Sequence, residues 1–93
     1  MDKKEFLDKI KEQVLAEDKN AEVILFGSRA RGDFKEDSDW DVLILTDQDE
    51  ANIKFKKILR KELFDLQLNV DQVITGIIKN KRKWKQMDLT PFF

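Results

Sequence analysis

Residues 27–41 read GSRARGDFKEDSDWD, and this stretch decides the fold. An apolar run, AEVILF at 21–26, stops at Gly27, and a second, DWDVLILT at 39–46, begins inside the quoted segment. Both are rich in strand formers, so the first reads as a buried strand and the second as a strand from about Trp40 to Thr46. Between them two glycines punctuate turns around a helical turn at Arg29–Arg31, with Ser28 placed to cap it. Alternate residues of a strand share a face about 6.5 to 7 Å apart along the chain, so Asp39 and Asp41 point one way and Trp40 the other. Two like charges side by side repel, and something positive must compensate for them.

Working outward, Phe6, Leu7, Ile10 and Val14 recur at helical spacing and predict an amphipathic helix from Lys3 to about Asp18. After the second strand, Asp47 and Glu50 form a capping-box-like start to another helix, carried on by Ala51, Phe55, Ile58, Leu59 and Leu63. LQLNVDQVI at 66–74 alternates and predicts a third strand, with Leu66, Leu68 and Val70 on one face and Gln67, Asn69 and Asp71 on the other. KNKRKWK at 79–85 reads as a basic helical stretch before the chain reaches LTPFF. The expected fold is α/β, a small mixed sheet of about three strands with helices packed on one face, and residues 1–93 form one domain without repeats or linkers.

Composition narrows the chemistry. The chain has no cysteine and no histidine, so catalysis or metal binding falls to carboxylates, hydroxyls, lysines and arginines, and hard oxygen-seeking cations are the natural metals. A formal net charge of −1 argues against a nucleic-acid partner; Trp84 among the basic residues of the tail fits a solvated helix packed on the core better than a nucleic-acid contact. No apolar run approaches the ~20 residues needed to span a bilayer, and the charged N-terminus lacks a signal-peptide core, so a cytoplasmic location is expected.

Asp39 and Asp41, joined by Asp71 if the second and third strands are neighbours, would form a carboxylate cluster suited to Mg²⁺ and substrate phosphates. Two such ions support phosphoryl or nucleotidyl transfer. Gly27 and Ser28, directly after a strand, offer backbone N–H groups and a hydroxyl to phosphate, and Arg29 and Arg31 stand near enough to neutralise it, though in a helical turn both cannot point inward. Each feature alone is commonplace. Together, the six fixed positions of GSxxxGxxxxxSDxD are expected by chance about once in 10⁷ windows.

These residues resemble the minimal nucleotidyltransferases of the DNA polymerase beta superfamily, whose pattern is a GS turn, a DxD pair and a third acidic residue on a later strand, here NVDQVI. The resemblance spans nearly the whole chain and implies a polymerase beta palm-like fold. It implies that Gly27 and Ser28 hold the triphosphate, that Asp39, Asp41 and Asp71 bind two Mg²⁺ ions, and that Asp71 assists deprotonation of an acceptor hydroxyl. That hydroxyl would attack the α-phosphate of ATP and release pyrophosphate. Members this small are often antitoxins paired with a HEPN-domain toxin, some similar to enzymes that transfer AMP onto that partner. The alternative is a module that neutralises the partner by contact alone. A sheet edge or the open site also leaves room for self-association.

Overall fold

A computed structural model describes residues 3–33, 35, 38–49 and 51–87. In chain order these form α1 (Lys3–Glu17), β1 (Glu22–Phe26), α2 (Ser28–Arg31), β2 (Trp40–Thr46), α3 (Ile53–Val70), β3 (Ile74–Asn80) and α4 (Lys81–Met87). The sheet order is β1-β2-β3. β1 runs antiparallel to β2, and β3 runs parallel to it, reached through the α3 crossover that a parallel pair needs. The small mixed α/β sheet expected from the sequence is therefore present.

The core lies on one face of the sheet. Trp40, Val42 and Ile44 of β2 and Ile78 of β3 meet Phe6, Ile10 and Val14 of α1 and Phe55, Leu59, Leu63 and Leu66 of α3, all buried. At the end of β2, Asp18 ties three segments together. Its carboxylate accepts from the Thr46 hydroxyl at 2.5 Å and from the amides of Asp47 and Asn20 at 2.9 and 3.0 Å. Burial pushes the Asp18 carboxyl up, but these hydrogen bonds and the Lys81 charge outweigh it and hold the group below its ordinary value. α4 follows β3 without a loop, and its Lys81 and Lys85 lie 4.0 and 3.8 Å from Glu22 on the opposite edge strand, so it crosses the sheet at this same end.

Three sequence expectations are corrected. The predicted strand at 66–74 is mostly helix: α3 continues to Val70, and β3 begins only at Ile74. Phe55, Leu59, Leu63 and Leu66 extend one helical stripe, whereas Leu68, which the alternation paired with Leu66, is 64% exposed. Asp71 consequently sits on no strand. It is the C-cap of α3 in the left-handed conformation, at φ 54° and ψ 42°, with its N–H donating to the Gln67 carbonyl, a geometry that aspartate tolerates better than most residues. β1, read as buried, is an edge strand with Ile24 and Phe26 43% and 36% exposed.

The start of α3 also differs. Asn52 caps it by accepting from the Phe55 amide at 3.1 Å, while Asp47 stays in the preceding turn, and Glu50 lies outside the described residues. Lys79 and Asn80 complete β3, and only the rest of KNKRKWK is helical. LTPFF lies outside the described residues. No helix among the described residues is long and apolar enough to cross a membrane.

Candidate active site

The site is built where β1 leaves the sheet beside the start of β2. Gly27 has φ 74° and ψ −156°, a conformation that needs glycine. A Cβ there would lie 2.2 Å from Oδ2 of Asp41, so the absent side chain is what lets the turn close onto that carboxylate. α2 then makes a single turn: the Arg31 amide donates to the Gly27 carbonyl at 3.1 Å, and the Gly32 amide, at φ 91°, donates to the Ser28 carbonyl at 2.9 Å. Ser28 is the first residue of this turn and not its cap. Gly27 holds the cap position, with no side-chain hydrogen bond there.

The two arginines part company. Arg31 is exposed and pairs with Asp33 at 3.5 Å. Arg29 is only 5% exposed and lies under the turn. Its Nε and Nη2 donate to the Ser38 carbonyl at 3.3 and 3.0 Å, and Nη2 also donates to Gln72 Oε1 at 3.2 Å. Its Cζ stands 4.4 Å from the Trp40 ring centroid, a cation–π contact out of water. The Trp40 indole donates to the same Gln72 oxygen at 3.0 Å, and its ring meets Phe6 edge-on at 4.8 Å. Arg29 thus binds its guanidinium to the residue preceding Asp39, and the side chain that the sequence assigned to phosphate supports the carboxylate segment from behind.

On the side of the sheet away from α1 and α3, the register sets side chains in rows. Phe26, Asp41 and Thr75 stand abreast across the three strands, and Ile24, Leu43 and Ile77 form the next row. Asp39 precedes β2 by one residue and is exposed, and Thr75 Oγ1 lies 3.4 Å from its Oδ2. Asp41 is half-buried against the turn. The structure therefore gathers Gly27, Ser28, Asp39 and Asp41, with Arg29 behind them.

It does not bring Asp71 into a three-carboxylate cluster. Among the described residues, no group of three or more acidic side chains is placed to hold one metal ion. Asp71 is exposed at the end of α3, next in the chain to Gln72. Two residues at the site escaped the sequence reading. Gln72 and Thr75 carry no motif, and their places depend on β3 starting at Ile74, which the alternation of 66–74 disguised.

All-oxygen donors held one residue apart, beside a glycine turn, suit a hard divalent cation that keeps part of its coordination for phosphate oxygens. Comparison with known proteins identifies the family. Residues 7–90 match the family described as nucleotidyltransferase domain. A protein of Methanocaldococcus jannaschii named "putative protein adenylyltransferase" is 43% identical over 67 residues, which cover 72% of this chain and 67% of that protein. No solved structure matches. With the family match spanning most of its length, the chain belongs to the nucleotidyltransferase domain family and is a transferase enzyme of that kind.

Proposed function

We propose that the enzyme is a Mg²⁺-dependent nucleotidyltransferase that moves AMP from ATP onto a hydroxyl of a partner protein. The observation that carries this reading is the closure of the Gly27 turn onto Asp41, which sets the backbone proposed to accept phosphate directly beside a carboxylate proposed to bind the metal. In this proposal Gly27 and Ser28 hold the triphosphate and Asp39 and Asp41 hold Mg²⁺. Arg31 neutralises phosphate after exchanging its exposed pairing with Asp33, and Arg29 fixes the segment that presents Asp39. Mg²⁺ held by Asp39 and Asp41 would supply charge neutralisation for the phosphate oxygens.

The acceptor oxygen forms a bond to the α-phosphorus while the bond from that phosphorus to the bridging oxygen of pyrophosphate breaks. The hydroxyl proton passes to solvent. Alignment and electrostatics carry the rate. The acceptor reaches Asp41 from the sheet face opposite α1 and α3, where Asp41 stands in line with Phe26 and Thr75. The relative's name supports a protein as acceptor. A HEPN-domain toxin is the partner we propose, with the enzyme as its antitoxin in the cytoplasm.

Incubation with labelled ATP, Mg²⁺ and that partner tests the reading. The partner should acquire one or more AMP groups by mass spectrometry, and Asp39→Asn with Asp41→Asn should abolish the label. Labelling that survives the double substitution contradicts the mechanism. The lack of a three-carboxylate cluster among the described residues favours a second reading, neutralisation by contact alone. In that case the doubly substituted protein still protects cells from the toxin without labelling it.

A further inference from the structure

Thr75 is the neighbour of both proposed metal carboxylates, and nothing in the GS or DxD pattern points to it. β2 and β3 pair in parallel with Asp41 opposite Thr75, so the two side chains leave the same face about 4.8 Å apart, the spacing of adjacent strands. The Thr75 hydroxyl also reaches Oδ2 of Asp39 at 3.4 Å, long for a hydroxyl–carboxylate hydrogen bond yet within reach of a small rotation. Register and side-chain contact are separate observations, and they converge on one residue. Thr75 is exposed and contributes nothing to the apolar core, where Ile74 and Ile78 of the same strand are engaged.

Resting on the reading above, we propose that Thr75 is a positioning residue of the metal site: its hydroxyl orients the Asp39 carboxylate toward the ion, and its place beside Asp41 forms the third side of the site. Asp39 lies just outside β2, and the backbone on either side of it is held by Arg29 donating to the Ser38 carbonyl and by the Trp40 amide donating to the Val73 carbonyl at 2.8 Å. A donor on the carboxylate oxygen restricts its rotation and leaves the other oxygen for the cation. A hydroxyl in this position accepts a proton or a metal contact only weakly. A carboxylate there would add a full ligand beside the existing pair.

Mn²⁺ binding in the presence of ATP, followed by the loss of the free-ion paramagnetic signal, tests this without any acceptor or turnover. Thr75→Val keeps the shape and removes the hydroxyl, and it should weaken Mn²⁺ uptake about five- to tenfold with the thermal midpoint little changed. Thr75→Ser should restore uptake to near the starting value, and Thr75→Asp should tighten it at least fivefold. Uptake by Thr75→Val equal to the unsubstituted protein, or a Thr75→Ser loss as large as that of Thr75→Val, overturns the positioning role. Failure of Thr75→Asp to tighten uptake overturns the placement beside the ion. If the unsubstituted protein takes up no Mn²⁺ with ATP, the metal reading of the site fails and this inference falls with it.

Discussion

At Gly27 the chain has no alternative residue. Its positive φ strains any side chain, and a methyl group would meet the Asp41 carboxylate at 2.2 Å. Gly27→Ala should therefore do two things at once. Backbone strain should lower stability by about 1–3 kcal/mol, read from the urea midpoint, and displacement of Asp41 should weaken Mg²⁺-dependent ATP affinity at least tenfold. A variant that lost stability but bound ATP normally would show that the turn and the carboxylate are not one site. The placement of Gly27 beside the paired aspartates was legible because their spacing between the two strands is fixed. The role of Arg29 was not, since an arginine beside a phosphate-type turn looks the same in sequence whether it faces the ligand or a carbonyl and an indole beneath.

Between elements, the least comfortable contact is the acidic one joining α1 to α3. Glu62 has a buried Oε2 without a hydrogen-bond partner among the described residues. Burial, then a hydrogen bond and like charge from Glu17, push its carboxyl up from 4.5 to about 6. The folded protein thus holds more protons than the unfolded chain between those values, so stability falls as pH rises from about 4.5 to about 6 and stays lower above. Glu62→Gln removes the charge, and at pH 7 it should stabilise the fold by about 1–2 kcal/mol, with no gain at pH 4. Urea unfolding at the two pH values checks this; equal effects at both would show that the carboxyl is not perturbed.

The same helix explains why the sequence misled at 66–74. Residues 66, 68 and 70 alternate as a strand would, but the stripe that began at Phe55 continues through Leu66 and leaves Leu68 in solvent. A short window sees both periods. Tertiary packing against α1 selects the helical one, and the left-handed Asp71 then ends it. The strand that follows starts three residues beyond Asp71, which moves the position beside Asp41 from an acid to Thr75.

Across the whole molecule, helices α1 and α3 bury one face of the sheet, and on the other Asp41 lies beside the Gly27 turn while Leu43 and Leu45 are buried. The two central requirements, strands flanking a glycine turn and carboxylates at the start of the middle strand, were legible because each is local. Strand order, the parallel pairing of β2 with β3 and the crossing of α4 toward Glu22 are not local, and no spacing within the sequence encodes them. In the function proposed above, the arrangement is a platform on which a metal-bound triphosphate rests against the Gly27 turn. Equilibrium titration of ATP into the protein, with Mg²⁺ and with the metal chelated, tests that claim most directly. Binding should need the metal and weaken at least tenfold in Asp41→Asn; ATP binding indifferent both to chelation and to that substitution would overturn the metal-bound reading of the site.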